Sequence, residues 1–129
     1  MKITPTDKDI QEAFSQLQLT QENVNNRLSC THHTITFHGH VLKNLDLNNR
    51  DLSNVFFAGI LIENVSFKNS NLSNTSFYGS IIKNVNFDNT IMNQTIFSHA
   101  EICHSSFKTI NATFYKRWYL YFKTLIPCL

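Results

Sequence analysis

Glycine and proline are scarce, at three and two residues of 129. That excludes a collagen-like fibre and a Pro/Gly-rich linker. Cysteine is scarce too: Cys30, Cys103 and Cys128 lie far apart and are odd in number. No disulfide framework is expected from them, and a reducing compartment is the default. Charged residues make up only 16%, and net charge is +2. From Val41 to Ile110 five cations face five anions, so the body lacks the electrostatic footprint of a nucleic-acid binder. No apolar run reaches the roughly 18 residues of a membrane span. The opening residues, MKITPTDKDI, hold no apolar stretch of signal-peptide length. What the chain has in excess is phenylalanine, at eleven residues, and asparagine, clustered in the middle. A chain of this length can enclose one core and reads as a single domain.

The asparagines and phenylalanines fall in a pattern. In NVSFKNSNLSNTSFYGS, from Asn64 to Ser80, a bulky apolar residue returns every five positions: Phe67, Leu72, Phe77. The series runs unbroken from Phe37 to Phe107. A second series, two residues earlier, is mostly small or β-branched, as at Val65, Ser70 and Thr75. Two residues after most bulky positions stands Asn or Gly. An α-helix would smear this series around its cylinder, because a step of five turns about 140°. A straight strand would alternate it between two faces. A chain that turns a corner every five residues buries it all, with Asn and Gly at the corners. A longer period sets the number of corners. Phe37, Phe57, Phe77 and Phe97 are spaced by twenty, as are Leu42, Ile62, Ile82 and Ile102. Four segments per turn make a square coil of about four turns, each stacked roughly 4.8 Å above the last.

The segments LDLNN, RDLSN, SNLSN and VNFDN resemble the pentapeptide repeat, whose consensus is A(D/N)Lxx. The resemblance covers residues 35–110. It implies an all-β solenoid, a right-handed four-sided parallel β-helix, in agreement with the spacing. The small position departs from the consensus, carrying Val, Ile, Ser or Thr in place of Ala, and His40 and Arg50 occupy two inward positions.

A solenoid needs covered ends. Residues 1–30 are expected to form an N-terminal helical cap, 31–112 the β-helix and 113–129 a C-terminal cap helix. In TDKDIQEAFSQLQ, Thr6 or Asp7 caps a helix whose apolar face, Ile10, Phe14 and Leu17, is expected over the first coil. In the tail, Phe114, Trp118, Tyr121, Phe122 and Leu125 fall at helical spacing. They are expected to cap the last coil or to form a homodimer contact, as the resemblance implies for several family members. The flanking Lys116, Arg117 and Lys123 leave open a membrane-interface role for the same tail.

Residues just before each bulky position should point outward. Val41, Leu61 and Ile81 form one apolar stack there, and Phe56, Ile91 and Ile96 are also apolar. An apolar ladder on a neutral rod is a candidate partner surface, unless the N-terminal helix or a twin subunit covers it. His99, Cys103 and His104 have the chemistry of zinc ligands but match no established ligand spacing. Placed at successive corners, they are weak candidates, and no metal or cofactor is expected. No nucleophile elbow, phosphate loop or acid pair is present, so no enzyme activity is expected. The expected function is a protein-binding scaffold in the bacterial cytoplasm or, in another version, an effector secreted into a host cell. Mimicry of DNA toward gyrase, which the resemblance to quinolone-resistance proteins suggests, is the alternative. It would require a dense negative face.

Overall fold

The computed structural model describes residues 4, 6–30 and 33–112. Two helices, α1 (Asp7–Leu17) and α2 (Gln21–Leu28), precede four short strands: β1 (Val41–Asp46), β2 (Leu61–Ser66), β3 (Ile81–Lys83) and β4 (Glu101–Cys103). The strands form one parallel sheet in the order β1-β2-β3-β4. Each residue pairs with the one twenty positions on: Leu42 with Ile62, Ile62 with Ile82, Ile82 with Ile102. Single bridges repeat that offset on the other sides, at Phe56–Ser76, Ser66–Asn86 and Asn71–Ile91. The chain is a four-sided parallel β-helix.

The corners explain why it turns. Every fifth residue from Gly39 to Thr109 has a positive φ, between 50° and 81°. At many corners the residue after it donates to the carbonyl three positions back, as Ser70 does to Phe67 at 3.0 Å. That is a type II turn, which needs Gly or Asn at its third position. Eight corners carry Asn and three carry Gly, and the last four carry Gln94, His99, His104 and Thr109. An ordinary side chain there costs roughly 1–2 kcal/mol, which Asn and Gly largely avoid.

Between corners the side chains sort by position. Wall 1 turns Phe37, Phe57, Phe77 and Phe97 inward; wall 2 turns Leu42, Ile62, Ile82 and Ile102; wall 3 turns Leu47, Phe67 and Phe87; wall 4 turns Leu52, Leu72 and Met92. The rings of wall 1 stack at 5.2, 5.2 and 5.0 Å with planes within 8° of parallel. Those of wall 3 stack likewise, and the two columns meet edge to face, as Phe67 meets Phe77 at 5.7 Å. This is the favoured geometry for aromatic pairs. The smaller inward series includes buried hydroxyls, each satisfied by a main-chain carbonyl. Thr75 donates to Leu52 at 2.6 Å, Thr95 to Leu72 at 2.7 Å and Ser70 to Leu47 at 2.7 Å. Ser and Thr thus replace Ala without leaving a buried polar group unpaired.

The N-terminal end differs from the sequence expectation. α1 forms, with Asp9 and Thr6 bonded across its first turn, but Ile10 and Leu17 are 43% and 44% exposed. The residue that closes the first coil is Val24, fully buried on α2. The free edge of the coil is covered in pieces. Residues 18–19 lie along β1, and Leu19 N–H bonds Val41 C=O at 3.1 Å. The Gln21 side-chain amide takes the place of a neighbouring strand: it donates to Asp46 C=O at 2.9 Å and accepts from Asp46 N–H at 2.7 Å. Arg27 donates to Thr36 C=O at 3.1 Å and lies over the Phe37 ring. The expected tail contacts, Phe114, Trp118, Tyr121, Phe122 and Leu125, lie outside the described residues.

Candidate functional site

A four-sided rod filled by its own side chains offers walls in place of a cleft. Wall 3 is polar along its whole length, presenting Asp46, Ser66, Asn86 and Ser106 outward. Its groups bond one another: Ser66 Oγ donates to Asn48, and Ser106 Oγ donates to Asp88. That Ser106 bond, helped by the Lys108 N–H and two lysine charges, holds the Asp88 carboxyl below its ordinary range. A bond from the Ser53 hydroxyl, and a second from its N–H, do the same for Asp51.

Wall 1, across the rod, is different. Its outward stack reads Thr36, Phe56, Ser76, Ile96. Phe56 and Ile96 are both 44% exposed, and Ser76, between them, is buried. At the corner beside them Tyr78 is 51% exposed, its ring edge-on to His99 at 5.3 Å. The apolar surface continues onto wall 2 at Leu61 and Ile81, paired in register, and onto wall 4 at Ile91. It is bounded by Glu101 above Ile81 and by Asn71 and Asn111 on either side of Ile91. All six residues expected at a partner surface lie on wall 1 and its two neighbours, and five of them are open or half-open to solvent. Val41 is the exception. It is 4% exposed, because residues 18–19 lie over it. Tyr78 follows a bulky residue, Phe77, whereas the outward rule covers only residues that precede one.

Other chemistry does not converge. His99 and His104 stand at corners, with φ 59° and 50°. Cys103 is not at a corner; it ends β4, buried, and is disulfide-bonded. A disulfide sulfur is not the thiolate that zinc takes. Among the described residues no three His, Cys, Asp or Glu side chains gather. No described helix is long and apolar enough to cross a membrane. A shallow hollow beside α2 is lined by Arg27, Cys30, His33, Thr34, Ile35 and Thr36. Lys43 and Glu63 pair at 3.3 Å on wall 2, both more than a third exposed. Such a pair contributes roughly 0–1 kcal/mol.

No curated protein matches the chain. Among solved structures, it is similar to a pentapeptide repeat protein of the cyanobacterium Cyanothece 51142, with 20% identity and a TM-score of 0.30. That match covers 63% of this chain and 48% of the other, so this chain spans about half of that neighbour's length. It is also similar to a pentapeptide repeat protein of the Arabidopsis thaliana thylakoid lumen, with 16% identity, a TM-score of 0.31 and coverage of 61% and 78%. The family model for pentapeptide repeats matches eight copies, at residues 62–98 and 70–108. Residues 62–108 therefore carry pentapeptide repeats, and the same corners every five residues run from Gly39 to Thr109.

Proposed function

We propose that this chain is a non-catalytic scaffold that binds a protein partner through the apolar side of the rod centred on wall 1. One observation carries the reading. Phe56, Tyr78, Ile81, Ile91 and Ile96 are all open to solvent on wall 1 and its flanks, while wall 3 is polar and internally bonded. Single exposed apolar residues are ordinary, but a gathered group with a polar rim marks a contact site. Tyr and Phe are also the side chains that dominate interface energetics. The absence of charge at the centre of this face suits a protein surface better than a nucleic-acid one.

Photo-crosslinking tests the proposal. A photoreactive residue in place of Phe56 or Ile96 is expected to give a discrete cross-linked species in the source cell, and one in place of Ser66 or Asn86 none. The double substitution Phe56→Asp with Ile96→Asp is expected to abolish the interaction while the protein stays folded by circular dichroism. Equal cross-linking from wall 3, or binding unchanged in the folded double variant, refutes it.

A further inference from the structure

We propose that His40 and Arg27 form a proton-sensitive latch that holds the N-terminal helices on the first coil. His40 occupies an inward repeat position that Ile60 and Ser80 fill with buried side chains in the coils above. Its ring sits half-buried between the two helices. Nδ1 lies 3.2 Å from the carbonyl oxygen of Leu17, the last residue of α1. Nε2 lies 3.5 Å from Arg27 Nη2 on α2. A carbonyl can only accept and a guanidinium can only donate. The two partners therefore select one neutral tautomer, with its proton on Nδ1. A second proton, on Nε2, removes the acceptor that Arg27 uses and sets imidazolium against guanidinium.

Arg27 is the fastening that such a proton disturbs. The same guanidinium donates to Thr36 C=O and lies 5.4 Å above the Phe37 ring, so its displacement loosens α2 from wall 1. The surrounding charges define the balance. From α2 the facing cation is Arg27, while Glu22 sits a full turn away in the first turn. From α1 comes the Leu17 carbonyl, with no charged side chain in the last turn. The ring thus meets a carbonyl oxygen on one side and a guanidinium on the other. On the coil, Lys43 is engaged with Glu63, and His38 turns toward Ala58 C=O at 3.3 Å. His33 lines the hollow that Arg27 shares. Release would uncover Val24, Phe37 and Leu42, all fully buried in the latched state.

Imidazoles change charge between about pH 5 and 8, so NMR of the full chain across that range is the test. At the upper end, the long-range proton–nitrogen spectrum of His40 is expected to show the proton on Nδ1. On acidification, hydrogen-exchange protection of the α2 amides, corrected for intrinsic rates, is expected to fall at least about tenfold as His40 titrates. Protection in β2 is expected to hold. In His40→Gln, whose amide can still donate to Leu17 and accept from Arg27, the acid effect is expected to vanish. His33→Gln is expected to retain it. A proton on Nε2 at the upper end, or α2 protection unchanged across the wild-type titration, overturns the latch.

Discussion

Replacing Phe77 by alanine removes a ring from the middle of the wall 1 column, where it also meets the wall 3 column. It stacks on Phe57 at 5.2 Å and on Phe97 at 5.0 Å, and meets Phe67 and Phe87 edge-on at 5.7 and 5.6 Å. It is fully buried. Losing a buried Phe to Ala costs about 3–5 kcal/mol. Four ring contacts, each worth roughly 0.5–1.5 kcal/mol beyond area burial, place this site at the upper end of that range. Relaxation is also restricted, because the rings above and below are each held between a corner three residues before and one two residues after. The matched control is Phe56→Ala, the neighbouring phenylalanine that points outward at 44% exposure. Its cost is expected to lie within about 0.5 kcal/mol of zero. Urea unfolding followed by far-ultraviolet circular dichroism reads both, with hydrogen exchange as a check that all coils unfold together. A cost for Phe77→Ala below about 1.5 kcal/mol, or one no larger than that of Phe56→Ala, would refute the inward–outward assignment.

Two further outcomes follow from the corners and from wall 3. Thr109 is β-branched and holds a φ of 55°, so Thr109→Gly is expected to stabilise by about 0.5–1 kcal/mol; no rise in the thermal midpoint would count against strain there. The Ser106 bond depresses the Asp88 carboxyl, so its stabilisation is present above the ordinary carboxylate value of about 4 and is lost as pH falls below it. Asp88→Asn should therefore be the less stable protein at neutral pH, with the gap to wild type closing on acidification; a gap independent of pH would show that the carboxylate charge contributes nothing.

The square coil was legible because its signal is redundant. A bulky residue every five positions, Asn or Gly two places later and like residues at twenty each specify the same geometry. The caps and the surface were less so. α2, QENVNNRL, has two apolar residues, Val24 and Leu28, and little helical signal beyond Thr20 at its N-cap, bonded to Asn23 N–H. It is stable because Val24 closes an opening that only the assembled coil creates. On the more apolar α1, Ile10 and Leu17 are exposed: amphipathic spacing says that a face is apolar, not how much of it is covered. Val41 follows the rule for an outward position, and only the fold lays residues 18–19 over it. Tyr78 shows the reverse, an exposed aromatic ring that the repeat rule had no place for.

Pairing at a constant offset of twenty makes the solenoid behave like a text read in a fixed frame. Excising a whole coil would leave every remaining letter on its own side of the column. Excising five residues would carry all later side chains round by a quarter turn, dispersing the Phe56–Ile96 face while the interior still closed. Excising one would turn hydrocarbon into water from that point onward. Lineages of such a chain can therefore lengthen or shorten only by whole pentads, and can keep an inherited binding face only by whole coils.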